Sequence, residues 1–153
     1  MRTRPTQAAD IPALQSILTQ TDLFPADMLP NMIMGFLSGG DTDDLWITCE
    51  FESTPVGFCY AAPEQLADGT WNMLAIAIDP KHQASGCGSA LTHHLENTLK
   101  SNRQRILIVD TSGTDAFQQT RAFYAKNGYT EEARIRDYWA PGDDKVIFWK
   151  SLK

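Results

Sequence analysis

The first third of the chain carries apolar residues at helical spacing. Ile11, Leu14, Ile17 and Leu18 share one helical face, and Asp10 as N-cap with Pro12 in the first turn marks where that helix begins. Arg2 to Thr6 predicts a short strand before it. Met28, Leu29, Met32, Ile33 and Phe36 form the stripe of a second helix from about Pro25 to Leu37, stopped by Gly39-Gly40. The period then changes. Leu45 to Phe51 and Val56 to Ala61 are rich in β-branched and aromatic residues, with Glu52-Ser53-Thr54-Pro55 as the hairpin turn between them. Trp71 to Ile78 predicts a third strand of this group, ended by Pro80. A long helix follows from about Gly86 to Lys100, with Leu91, Leu95 and Leu99 on one face. Arg105 to Thr111 reads as a buried strand because its apolar run is continuous. Phe117 to Asn127 predicts another helix, closed by Asn127-Gly128. Arg134 to Trp139 and Val146 to Ser151 are two last strands around Pro141-Gly142-Asp143-Asp144. The order β-α-α-β-β-β-α-β-α-β-β describes a mixed α/β domain. No repeat, low-complexity stretch or linker interrupts it, so residues 1–153 read as one domain.

Composition narrows the function classes. The 153 residues are 42% apolar and 21% charged, which suits a folded chain with a sizeable core rather than a disordered one. Thirteen Lys and Arg against 19 Asp and Glu give a net charge of −6, the opposite of the basic surplus that draws proteins to nucleic acid or anionic lipid. No apolar run reaches the ~18–20 residues of a membrane helix, and Met1-Arg2-Thr3-Arg4-Pro5 does not open a signal peptide. Neither nucleic acid nor membrane is therefore an expected partner. The odd count of three cysteines, Cys49, Cys59 and Cys87, forms no CxxC and points to reduced thiols in a cytoplasm. His93-His94 has no matching Cys or His at ligand spacing, so no metal is expected.

The richest stretch is Asp79-Pro80-Lys81-His82-Gln83-Ala84-Ser85-Gly86-Cys87-Gly88-Ser89-Ala90. It follows a predicted strand and opens a predicted helix. Gly86 and Gly88 allow close backbone approach, and a helix N-terminus offers unpaired N–H groups and a positive dipole end, which together suit a pyrophosphate. A bare glycine-rich turn with no ligand is the plainer alternative. A dinucleotide fingerprint fails because Leu91 stands where the third glycine belongs, and a Walker A loop fails for want of Gly-Lys-Ser/Thr.

Gln83-x-x-Gly86-x-Gly88 after Leu74–Asp79-Pro80 resembles the acyl-CoA loop of the GCN5-related N-acetyltransferase (GNAT) family, whose pattern is Arg/Gln-x-x-Gly-x-Gly/Ala. Arg121-Ala122-Phe123-Tyr124-Ala125-Lys126-Asn127-Gly128-Tyr129 resembles the "FYxKxGF" segment of the same family, with a strand between the two segments as the family requires. The element order fits from residue 2 to the end. The resemblance implies a central, mostly antiparallel twisted sheet of about seven strands flanked by about four helices. It implies acetyl-CoA as acyl donor, a primary amine as acceptor and direct transfer in a ternary complex.

Residue by residue, the resemblance places Ile76, Ala77 and Ile78 on a strand splayed from its neighbour, where backbone groups meet the pantetheine arm. A bulge there would free an N–H near Ile78 to polarise the thioester carbonyl. Gln83, Ala84, Ser85, Gly86, Cys87, Gly88 and Ser89 would wrap the pyrophosphate, mainly with main-chain N–H groups. Tyr124 matches the tyrosine beside the departing sulfur. A phenol of pKa ~10 can donate a proton to a thiolate whose conjugate acid has pKa ~8.5, so the resemblance implies that Tyr124 protonates the leaving thiolate. Its other reading is a core aromatic beside Phe123.

Two departures stand out. Some members carry a glutamate base where Asn72 stands, so the expected base is water-mediated, with Asp110 and Glu50 as weaker carboxylate candidates. Many members carry a pantetheine-contacting asparagine where Phe117 stands. Cys87 at a helix N-terminus could have a lowered thiol pKa, but a nucleophilic role would need His82 as its base and does not suit the direct transfer that the resemblance implies. Tyr138 and Trp139 are candidate acceptor walls, and Trp46, Trp71 and Trp149 read as core or sheet face. Asp41-Thr42-Asp43-Asp44 and Asp143-Asp144 read as solvated turns that would favour cationic acceptors if they lined the groove. A non-catalytic acyl-CoA-binding sensor or partner module remains the rival reading, and the resemblance leaves a homodimer open.

Overall fold

The computed structural model describes residues 1–153. In chain order the elements are β1 (Arg2–Pro5), α1 (Ile11–Thr21), α2 (Leu29–Leu37), β2 (Leu45–Phe51), β3 (Thr54–Pro63), β4 (Thr70–Ile78), α3 (Cys87–Ser101), β5 (Ile106–Ser112), α4 (Gln118–Lys126), β6 (Thr130–Ala140) and β7 (Asp143–Ser151). The strands form one sheet in the order β1-β2-β3-β4-β5-β7-β6. Every neighbouring pair is antiparallel except β4 and β5. The four helices and seven strands agree with the expected mixed α/β architecture.

Each sheet face buries its own core. Leu91, Leu95 and Leu99 of α3 pack with Trp71, Met73, Val109, Tyr124 and Phe148 on one side. Leu14, Ile17, Leu18, Leu29 and Ile33 of α1 and α2 pack with Trp46, Phe58, Ala75 and Ala77 on the other. No helix is long and apolar enough to cross a membrane.

The alternation along β4 breaks once. Trp71 and Met73 face the α3 side, yet Ala75 and Ala77 face the α1 side. Strict period two would have kept all four on one face. The cause lies in the register: Tyr60 pairs with Ala75 and Ala61 with Met73, so Leu74 is an extra, bulged residue. The bulge therefore sits two residues before the expected Ile76–Ile78 segment. Beyond it, β4 and β5 part. Their parallel ladder holds only Thr70–Ile106, Trp71–Leu107 and Asn72–Ile108, although β4 continues to Ile78 and β5 to Ser112.

Three local readings change. Asp10 does not cap α1 with its side chain. Its carboxylate accepts from Gln7 N–H at 2.8 Å and from Arg4 at 2.8 and 2.9 Å, while Arg4 also reaches Glu50 at 3.0 Å. A buried carboxylate beside a guanidinium gains more from that cation than from capping. Thr54 and Pro55 belong to β3, because Glu52 and Ser53 alone turn the hairpin with φ of 50° and 65°. Asp143 and Asp144 belong to β7 rather than to a solvated turn.

Candidate active site

Where β4 and β5 part, a cleft of about 410 Å³ opens. Its edges are what the strands leave behind. Asp79 N–H donates to Val56 O at 2.7 Å, so antiparallel alternation assigns Ala77 and Ala75 to the β3 ladder. Ile76 and Ile78 then turn their N–H and C=O toward the missing strand. Their side chains lie half-buried against the α3-side core. Of the three expected residues, Ile76 lines the cleft, while the backbone of Ala77 is taken up by β3.

Beyond Ile78 the chain passes through a short 3-10 turn, Pro80–His82, whose N–H at Lys81 is capped by Asp79 at 3.0 Å. Gln83, Ala84, Ser85 and Gly86 are exposed. Ala84 and Gly86 both adopt left-handed φ, 62° and 90°. Such alternation turns successive N–H groups toward one side and makes an anion-binding concavity. Gly86 is the N-cap of α3 and supplies no side-chain cap, so the N–H groups of Cys87, Gly88 and Ser89 keep no intrahelical partner. Gln83 donates to Ile78 O at 3.5 Å, and the Ser85 hydroxyl donates to His82 O.

Gly88 packs closely: a Cβ there would lie 3.2 Å from the Phe123 ring, which would have to give by a few tenths of an ångström. One expectation about this loop needs correction. Cys87 turns its side chain into the core, 1% exposed. Burial first, and then Cys49, push its thiol up rather than down. His82 is half-buried, packs on Phe51 and lies 3.5 Å from Asp79. Any contribution of Cys87 to a ligand is limited to its backbone.

Strand alternation divides the cleft into two sides. Val109 belongs to the α3-side core, and with it come Tyr124 and Thr120 of α4 and Phe117 just before that helix. Arg121 fixes α4 on the end of β5 by donating to Ser112 O and Thr114 O, both at 2.8 Å. Tyr124 is 2% exposed and sits within 5.7 Å of the Phe123, Tyr129 and Phe148 rings, ring centre to ring centre. Burial pushes its phenol well above its ordinary value, so it holds its proton throughout the neutral range.

The opposite side carries polar chemistry. Asn72 donates to Glu64 at 3.0 Å and to Asp110 at 3.3 Å. Asp110 also pairs with Lys145 at 3.3 Å, and that ammonium lies 4.4 Å from the centre of the Tyr138 ring. Asp143 accepts from the Ser112 hydroxyl at 2.5 Å. Trp139 donates its indole N–H to Thr111 O at 3.2 Å and stands 48% exposed at the cleft wall. Asp110 is thus brought to the cleft. Glu50 is not, because Arg4 and Arg2 hold it at the β1 edge.

Sequence reasoning missed Leu23, Leu74 and Ser112 as lining residues, whereas Asp143, weighed as a groove residue, does line the cleft. The abrupt polar end of the β5 run, Asp110-Thr111-Ser112, was the available signal. Leu23 left none, since its place depends on Asp22 ending α1 in a left-handed conformation with φ of 56°. Trp46 and Trp71 are buried as expected, and Trp149 is half-buried on β7.

Comparison with known proteins adds three findings. The family described as acetyltransferase (GNAT) domain matches residues 42–131. No curated protein matches the sequence. Solved structures share the fold over nearly the whole chain. A protein of the GNAT family from Desulfovibrio desulfuricans is 24% identical, with 99% of each chain covered and a TM-score of 0.90. An aminoglycoside 6'-N-acetyltransferase complexed with coenzyme A is 15% identical, covering 100% of this chain and 98% of that one, with a TM-score of 0.82. The ribosomal-protein-S18-alanine N-acetyltransferase from Escherichia coli is 19% identical, covering 99% and 94%, with a TM-score of 0.80. At these identities the likeness is one of fold.

Proposed function

The chain belongs to the GNAT family of N-acetyltransferases, and on that footing we propose that it moves an acetyl group from acetyl-CoA to a primary amine by direct attack in a ternary complex. The observation that carries this reading is the parting of β4 from β5, which leaves Ile76 and Ile78 with outward backbone groups leading to the Gln83–Ser89 turn. An extended, amide-bearing arm can add to such an edge like a strand, and a pyrophosphate suits the N–H cradle beyond it.

The thioester supplies an activated acetyl group, and the residues of the chain do the rest. Ile76 N–H, beside the Leu74 bulge, donates to the carbonyl oxygen as charge develops on it. The amine nitrogen forms the new C–N bond and the C–S bond breaks. The amine's surplus proton leaves through water toward Asp110, a carboxylate on the acceptor side. Tyr124 donates a hydrogen bond to the departing sulfur. A phenol of ordinary pKa ~10 is already a weaker acid than a thiol of ~8.5, and burial raises Tyr124 further, so full transfer to the thiolate is uphill and the sulfur takes its final proton from solvent. Most of the acceleration comes from holding the two substrates in contact.

The test has two steps. Acetyl-CoA at 100 times its dissociation constant should stabilise the protein by ~2.7 kcal/mol, a shift of several degrees in Tm, with NADH and ATP as inactive controls. Free CoA thiol should then appear when amines are added. No shift with acetyl-CoA would defeat the proposal. A shift with no thiol release from any amine would favour a non-catalytic acyl-CoA-binding module.

A further inference from the structure

The acceptor side of the cleft has its own chemistry, and its walls come from three separate parts of the chain. Leu23 arrives from the turn after α1, Leu74 from the β4 bulge and Trp139 from the end of β6. All three are large apolar side chains left 44%, 52% and 48% exposed. Singly each would be unremarked, but convergence on one cleft is the usual mark of a binding wall. Trp139 is also held in place, because its indole N–H is tied to Thr111 O at 3.2 Å. A fixed aromatic plane offers apolar area at little entropic cost.

Two carboxylates line the cleft, Asp110 and Asp143. Asp110 is paired with Lys145 at 3.3 Å. Asp143 is held by the neutral Ser112 hydroxyl and is the lining carboxylate without an ion pair. Glu64, which shares the Asn72 amide with Asp110, does not line the cleft. One uncompensated carboxylate balances one ammonium. It does not balance the several charges of a polyamine or an aminoglycoside, whose polar bodies would also lie against Leu23, Leu74 and Trp139.

We infer that the acceptor is a monocationic primary amine bearing an aryl or branched-alkyl group, with Asp143 anchoring the ammonium and Trp139, Leu23 and Leu74 holding the apolar part. The inference rests on the acetyl-CoA-dependent reading above and specifies its second substrate. Asp143 acts as a positioning residue: it brings the nitrogen into the cleft, where one proton must leave before attack.

CoA-thiol release should be measured with acetyl-CoA and four amines: 2-phenylethylamine, isoamylamine, ethanolamine and spermidine. The two apolar amines should exceed ethanolamine and spermidine in kcat/KM by about tenfold or more. Trp139→Ala should erase most of that preference through KM. Leu23→Ala, on an exposed turn, should reduce it in the same direction and serves if Trp139→Ala fails to fold. Asp143→Asn should raise KM for every amine and leave the Tm shift with acetyl-CoA in place. Spermidine or ethanolamine matching the apolar amines would overturn the inference, as would equal losses for all amines in Trp139→Ala. A retained acetyl-CoA shift in those cases would leave the donor reading standing. No shift and no thiol release with any amine would remove both.

Discussion

Tyr124 owes its position to neighbours that the chain brings from afar. The Arg121 guanidinium fixes α4 against the end of β5, and Phe148 and Tyr129 close around the Tyr124 ring. Replacing the phenol by phenylalanine removes the donor and leaves the ring packing. Tyr124→Phe should therefore lower kcat about 100-fold and leave the acetyl-CoA thermal shift unchanged. Stopped assays of CoA release at saturating amine would check it, and undiminished turnover would show that the departing sulfur is served by another group. Tyr124 also illustrates what a sequence conveys about a residue. Its motif neighbours marked it as a site candidate, whereas the raised pKa of its phenol follows from burial between α4 and β7. Cys87 shows the converse. Its place at a helix N-terminus suggested an activated thiol, but the first turn of α3 points that side chain into the core.

At the scale of elements, the β4 strand and its neighbours decide the site. The bulge at Leu74 reverses which side chains face α1 and α3. It cannot be read from apolar alternation, because Met73-Leu74-Ala75-Ile76-Ala77-Ile78 is apolar throughout. Gly57 on β3 holds the far end of this strand close to α3. A Cβ at Gly57 would come within 2.8 Å of Ile78 Cδ1, 2.9 Å of Cys87 Sγ and 3.1 Å of Ala77 O. Gly57→Ala should thus overpack the junction and cost about 1–3 kcal/mol. Urea unfolding should show a lower midpoint with an unchanged slope. A loss within about 0.5 kcal/mol, the scatter of ordinary surface substitutions, would mean the strand and helix yield without strain.

For the whole molecule, pH should act from both ends. Burial alone would raise the Asp10 carboxyl, but Arg4 and the Gln7 N–H outweigh it and hold the carboxyl below its usual range. A depressed carboxyl contributes stability above its unfolded value of ~3.9, and loses it as pH falls through the lower folded value. At the other end, burial and then the Asp44 carboxylate raise Tyr60 to about 12, and burial likewise raises Tyr124 and Tyr129. Raised phenols contribute stability that is complete below ~10 and lost as pH climbs toward their folded values. Urea midpoints should accordingly be level from about pH 5 to 9 and decline on either side. A midpoint that stays level between about pH 9 and 11 would contradict the tyrosine assignment.

The order of helices and strands, the glycine turn and the tyrosine segment could all be read along the chain, because each depends on neighbours within a few residues. Periodicity reports which face is apolar, and Gly86 reports a left-handed turn, wherever the rest of the chain goes. The cleft is different. It exists because β4 pairs with β5 for three residues and then departs, a matter of strands separated by the whole of α3. Its acceptor walls join Leu23, Leu74 and Trp139 from elements far apart in sequence, and the charge balance of Asp110, Asp143 and Lys145 appears once β5 and β7 lie side by side. Local pattern carries conformation, while distances between remote residues, and hence burial, acidity and substrate fit, are created by the packing of the sheet.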